Sequence, residues 1–191
     1  FEQALKTNDS LYFAVLTGCL RVSKESIFTG LNNPSIFSIT DEDCDSCFGF
    51  TDTEVRNMLT YYDLEDKYET IREWYDGYCF GDADIYCPWD VVNYVNKLLV
   101  KRTLPPQDYW SNTSSNEIVH RFVEKLGKGL TKREIEALVA GETVTKEIQE
   151  DLTYNRIYDS IENIWSVLFT TGYLTQRGTS DGRSYRLAIP N

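Results

Sequence analysis

The chain has 191 residues, with 30 acidic side chains against 19 Lys and Arg, a formal charge of -11 at neutral pH. That balance excludes bulk attraction to nucleic acid or to anionic membranes, which needs clustered Lys and Arg. No apolar run is long enough to span a membrane and nothing resembles a signal peptide, so the chain, opening on Phe1, reads as a soluble, cytoplasmic fragment.

Glu2 to Lys6 reads as the tail of a helix, and Leu11 to Leu16 (LYFAVL) as a short strand covered on both faces, as in parallel sheets. Thr17 and Gly18 end it, with Arg21 close behind. Ligands of open α/β sheets lie beyond the carboxyl ends of the strands, so this hydroxyl, glycine and cation stand where phosphates bind. On these residues alone the favoured reading is a simple turn at Thr17-Gly18 and a solvated charge at Arg21. Val22 to Phe28 is expected as a short helix stopped near Gly30 by Asn32, Asn33 and Pro34, and Ile36 to Ile39 as another strand. Asp41-Glu42 mimics the acidic strand end that holds magnesium in P-loop ATPases. The run is short and broken by Ser38, and no GxxxxGK[ST] precedes it, which argues against that role.

From Thr51 the helix signals are local and strong. Thr51 with Glu54 makes a capping box, Phe50 and Val55 a hydrophobic staple, and Val55, Met58, Leu59 and Tyr62 share a face. Leu64, Tyr68, Ile71 and Tyr75 set the next helix, closed by a turn at Asp76-Gly77. Pro88 fits the first position of a third, with Cys87 as a weak cap and Val91, Val92, Val95, Leu98 and Leu99 as its buried stripe. Pro105-Pro106 is the expected linker.

Beyond it, Ser114 and Glu117 cap a helix bearing Ile118, Val119, Phe122, Val123 and Leu126. Thr131 and Glu134 cap another, stapled by Leu130 and Ile135 and stopped by Gly141. Thr143 to Ile148 is a candidate strand and Ile161 to Thr171 a nearly all-apolar helix. Gly172 to Gln176 and Ser184 to Ile189 read as strands joined around Asp181-Gly182. The order suggests a winged-helix-like unit.

Chemistry-bearing residues are sparse. Five cysteines (Cys19, Cys44, Cys47, Cys79, Cys87) without a secretion signal suit a reducing compartment. Cys44 and Cys47 have metal-ligand spacing, but Cys79 and Cys87 do not complete a knuckle, so no metal site is expected. The aromatics Trp74, Tyr75, Tyr78, Tyr86, Trp89, Tyr109 and Trp110 around Asp76 suggest a sugar platform, yet their helical spacing fits core packing better. His120, the only histidine, sits on a helix flank rather than in a triad. In winged-helix units the helix before the hairpin enters the major groove. Here that helix carries Glu162 and no Lys or Arg, so it packs inward, leaving Arg177, Arg183 and Arg186 of the hairpin as weak candidates for phosphate contact. Asp41 to Glu69 holds ten acidic residues against Arg56 and Lys67, which leaves an acidic protein-interaction module as an alternative.

Several blocks together point further: TGCLRVSKESIFTGLNN from Thr17, FGFTDTEV from Phe48, WYDGYCF from Trp74, IYCPWDVVNY from Ile85, YWSNTSSN from Tyr109, then GYLT and YRLAIPN at the end. In this order they resemble the bacterial AAA-ATPase-like family, P-loop-type proteins often followed by a PD-(D/E)XK-type nuclease domain. The family's phosphate loop and acidic Walker B strand have no counterpart here, the nuclease would begin after Asn191, and Cys87 stands where the family usually has asparagine. The resemblance implies an α+β, mainly helical chain in three parts. Residues 1–40 would be the sensor strand at the edge of a P-loop-type sheet, 41–106 a helical lid, and 107–191 the winged-helix-like module with its C-terminal hairpin. It further implies that Thr17, Gly18 and Arg21 sense the terminal phosphate in a parent that binds ATP and Mg, while this fragment alone binds no cofactor and is no enzyme. Its partners would be the upstream P-loop core and the downstream nuclease-like domain.

Overall fold

A computed structural model of the chain describes residues 8–18, 35–110, 130–150, 159–178 and 180–190, together with Leu5, Leu152 and Arg156. Among these residues the fold is α+β, with five α-helices and two small antiparallel sheets. The expected helices at Val22 to Phe28 and Ser114 to Leu126 lie outside the described residues.

Helix α1, Asp52–Tyr61, starts as its sequence demands: Thr51 Oγ1 accepts from Glu54 N–H, and the Glu54 carboxylate accepts from Thr51 N–H at 2.9 Å. Two orphan amides are thereby satisfied at the helix entry. Val55 and Leu59 point inward, and Phe50 packs against the cluster they belong to. The helix ends in a Schellman motif, with Leu64 N–H on Leu59 C=O at 2.8 Å and Asp63 N–H on Thr60 C=O at 3.2 Å. Asp63 occupies the left-handed position at φ 54, where glycine is usual.

A single 3-10 turn, Glu65–Lys67, leads into α2, Tyr68–Tyr75, which buries Ile71 and Tyr75. Asp76-Gly77 is not the turn expected there. It opens strand β1, Asp76–Phe80, with Gly77 at φ 145 in a bulge opposite β2, Ala83–Tyr86. The chain reverses at Gly81-Asp82 instead. An Asp-Gly pair signals a positive φ, and a bulge uses one as readily as a turn does.

Helix α3, Pro88–Val100, has proline in its first turn, and Cys87 makes no side-chain capping bond. Val91, Val95 and Leu98 are buried as expected, but Val92 and Leu99 are 40% and 50% exposed, and Tyr94 and Asp90 are buried in their place. The Pro105-Pro106 stretch is not a free linker. Tyr94 donates to Leu104 C=O at 3.1 Å, Tyr75 donates to Gln107 C=O at 3.0 Å, and Asp90 Oδ1 accepts Tyr109 N–H at 3.0 Å. The strap closes over one core: Val55, Leu59, Leu64, Ile71, Tyr75, Tyr86, Val91, Tyr94, Val95 and Leu98.

The second core gathers Leu138, Val144, Ile148, Ile164, Trp165, Leu168, Phe169, Leu174, Tyr185 and Leu187. Helix α4, Leu130–Val139, already includes Thr131, so that residue is inside the helix rather than its cap. Gly141 stops it at φ 82, with Glu142 N–H on Ala137 C=O. Strand β3, Val144–Glu147, pairs with β5, Ser184–Ala188, which also pairs with β4, Thr175–Gln176, in the order β3-β5-β4. Helix α5, Ile161–Thr170, is capped by Ser160 and buries every residue from Asn163 to Phe169. The hairpin turn falls where Asp181-Gly182 predicts it, with Asp181 and Ser184 exchanging both backbone bonds at 3.0 Å.

The two cores meet along the β1–β2 hairpin. Thr175 Oγ1 accepts Cys79 N–H at 2.8 Å, Gln176 Nε2 donates to Gly81 C=O at 2.5 Å, and the Tyr78 hydroxyl donates to Gly172 C=O at 3.2 Å. From the other side, Ile39 packs against the second core while its carbonyl accepts Gly81 N–H at 2.8 Å.

Neither expected N-terminal strand is formed. Residues 11–18 run as irregular chain, and so do Ile36 to Ser38, with Ile39 in a turn. A strand covered on both faces needs sheet neighbours and covering layers. Among the described residues both sheets are antiparallel and neither takes up this segment.

Candidate functional site

The expected phosphate-sensing residues are not gathered into a site. Thr17 and Gly18 are exposed at the end of the irregular segment, and Arg21 lies outside the described residues. Ahead of them Leu11, Tyr12, Phe13, Val15 and Leu16 are all exposed, Tyr12 at 102% and Phe13 at 76%.

The aromatic group divides. Tyr75, Tyr86 and Tyr94 are core residues, and Tyr75 stacks edge-on to Tyr94 at 5.6 Å. Burial drives the Tyr75, Tyr78 and Tyr86 hydroxyls above the usual phenol range. Trp74, Trp89 and Trp110 are partly exposed, and Trp89 Nε1 donates to Tyr109 C=O at 3.1 Å. Among the described residues, no aromatic side chain lines the cleft beside α2.

That cleft, about 590 Å³ and open to solvent, lies where α2, the β1–β2 hairpin and the end of β4 converge. Its charged lining is Glu69, Arg72, Glu73, Asp76, Asp84 and Arg177, with Gly77 in its wall. Asp76 reaches it because α2 ends there and the strand begins at once; Arg177 arrives from the far end of the chain, its N–H held by Arg186 C=O at 2.8 Å. Burial, reinforced by neighbouring Asp84, raises the Asp76 carboxyl above its ordinary range, against the Gly77 backbone amide and the weaker pull of Arg177 and Arg72. Arg72 also pairs with Glu69 at 3.6 Å. Serine, cysteine and histidine are absent from its described lining, and its titratable groups are carboxylates and guanidiniums.

From the sequence Asp76 is expected as a turn residue and Arg177 as a weak candidate for phosphate contact. No local signal joins positions so far apart in the chain, although the Asp-Gly pair marks special backbone at one end. Of the other hairpin arginines, Arg183 is exposed in the turn and Arg186 is exposed on β5 opposite Thr145. Helix α5, the one a DNA reader would insert, is sequestered in the second core.

Cys44 and Cys47 share an exposed loop, whereas Cys79 and Cys87 are half-buried elsewhere. Burial pushes the Cys87 thiol up to about 12 and raises Cys79 as well. Among the described residues no group of three or more His, Cys, Asp or Glu side chains is placed to hold a metal. No helix among them is long and apolar enough to cross a membrane.

No protein-family model matches the chain, and no solved structure matches it. The chain is similar to a protein of Azotobacter chroococcum mcd 1 described as an uncharacterized protein in the vnfD 5' region. The two are 26% identical over 196 residues, which cover 98% of this chain and 34% of the relative. The chain thus spans about a third of that relative's length.

Proposed function

We propose that this chain is a non-catalytic accessory portion of an AAA-ATPase-like protein, carrying nucleotide state from a P-loop core toward a nuclease-like domain. The observation that carries the reading is the run Leu11 to Leu16, whose large apolar side chains stand in water directly ahead of Thr17-Gly18. Burying one such side chain is worth roughly 1.5–3 kcal/mol, so a partner sheet that accepted the run would gain substantially. In this reading the run becomes the sensor strand of a sheet belonging to a longer cytoplasmic parent, and Thr17, Gly18 and Arg21 then face a terminal phosphate held with Mg by that parent. Alignment over nearly the whole of this chain but only a third of the relative supports a place within a longer protein. The order α4, β3, α5, β4, β5 supports the winged-helix-like assignment of the C-terminal unit, with its helix serving as packing rather than DNA reading.

The test is hydrogen exchange on this chain and on a longer chain that includes an upstream phosphate loop. Residues 11–16 should exchange freely in the first and become protected by orders of magnitude in the second. Free exchange in both would overturn the assignment.

The exposed acids Glu42 and Asp43 favour a second reading, an acidic module that docks a basic protein. A pull-down with a basic partner lost at high salt would support it.

A further inference from the structure

We propose that Cys44 and Cys47 form an internal dithiol–disulfide pair, and that its closure braces the loop seating the β1–β2 hairpin turn. The backbone is already set for the bond. Cys44 C=O accepts Cys47 N–H at 3.0 Å, and Cys44 sits in the left-handed region at φ 64. A turn closed in this way holds its end Cα atoms within about 7 Å. A disulfide spans roughly 4.4–6.8 Å between Cα atoms, a range that a turn closed in this way overlaps. Both thiols are exposed. Cys79, by contrast, is half-buried with Gln176 Nε2 on its sulfur at 3.5 Å.

The loop does structural work that a ring would reinforce. Gly81 presses so closely against it that a Cβ there would lie 2.7 Å from Asp41 O and 3.0 Å from both Asp45 Cβ and Glu42 Cα. Asp45, between the two cysteines, accepts Asp82 N–H at 3.3 Å. Ile39 C=O holds Gly81 N–H from the other end of the same loop. The hairpin turn that joins the two cores is therefore clasped by residues 39–45, and the cysteine pair closes the end of the clasp.

The oxidant is a small-molecule disulfide of the glutathione class. One protein thiolate attacks a sulfur of the reagent, the reagent's S–S bond breaks, and one reagent thiolate leaves and takes a proton. The second protein thiol, deprotonated, then attacks the protein sulfur of the mixed disulfide and expels the other reagent thiolate, which also takes a proton. Two protein thiols lose two electrons and the reagent becomes two thiols. The Cys44 thiol is held above its ordinary range, first by Cys47 and then by burial and by Asp43 and Asp45.

The test treats the full chain with oxidised glutathione, alkylates remaining thiols under denaturing conditions and maps peptides by mass. The expected peptide bearing Cys44 and Cys47 is unalkylated and lighter by a pair of hydrogens, while Cys79 and Cys87 are alkylated. Alkylation of both loop cysteines, retained glutathione, or a cross-link to another cysteine would overturn the pair. Oxidation should also slow hydrogen exchange at the Gly81 and Asp82 amides by about threefold or more, reversed by reductant and absent in Cys44→Ser and Cys47→Ser. Unchanged exchange in the oxidised wild type would overturn the brace.

Discussion

The Tyr68 hydroxyl donates to Asp52 Oδ1 at 2.6 Å, and the Tyr86 hydroxyl shares that oxygen at 3.0 Å. Asp52 lies in the first turn of α1, its other oxygen takes Arg56 Nε at 2.6 Å, and the Arg56 guanidinium covers the Tyr68 ring at 3.6 Å. One carboxylate thus ties α1 to α2 and to β2. The Tyr68 bond foremost, then Arg56, holds the Asp52 carboxyl below its ordinary range.

A depressed folded-state pKa means stability that is present above the unfolded value of about 3.9 and is lost as pH falls through the lower folded value. Asp52 is about half exposed, so solvent screening discounts the effect. Asp52→Asn should cost about 1 kcal/mol at neutral pH and flatten the acid limb of the stability profile below about pH 4. Urea melts across that range check it, and parallel profiles for the two proteins would refute the role.

Thr175 couples the two cores through one hydrogen bond to Cys79 N–H. Thr175→Val keeps the shape and leaves that amide without its acceptor, a loss of about 1–3 kcal/mol. Thr175→Ser retains the hydroxyl and should cost under about 1.5 kcal/mol. Equal melting temperatures for the two variants would show that the bond contributes nothing.

Asp63 and Gly141 hold the same position in the same helix-ending motif, at φ 54 and 82. Asp63→Gly should therefore stabilise the chain by about 0.5 kcal/mol, since glycine relieves more left-handed strain than it adds to unfolded-state freedom. Gly141→Ala should cost about 1 kcal/mol although a Cβ there meets nothing within 4 Å. Denaturant midpoints with unchanged slopes would report both, and a destabilised Asp63→Gly would point to a side-chain contact instead.

If the run 11–16 completes a nucleotide-binding sheet, Arg21→Ala in an active longer parent should slow ATP turnover on the order of a hundredfold, and Thr17→Ala somewhat less. Melting temperature should stay nearly unchanged. Turnover within about threefold of the parent would return Arg21 to the role of a solvated charge.

The features legible in the amino-acid order are those decided within one helical turn or one hairpin loop. The Thr51–Glu54 box, Pro88 at a helix start, Gly141 at a helix end, the apolar α5 and the turn at Asp181-Gly182 each satisfy their own backbone groups with near neighbours. Tertiary contact decided the rest. Val92 and Leu99 are as apolar as Val91 and Leu98, so which side of α3 is buried depended on where α2 and the strap 104–109 lay against it. The prolines of that strap carry no sign that tyrosine hydroxyls from two helices will pin it. Leu11 to Leu16 has the composition of a buried strand, but burial needs partner strands as well as a willing sequence, and the described residues do not supply them. The cleft is the extreme case: Asp76 and Arg177 meet only because β4 docks beside β1, and the energy of that docking resides in both cores rather than in either residue's neighbours along the chain.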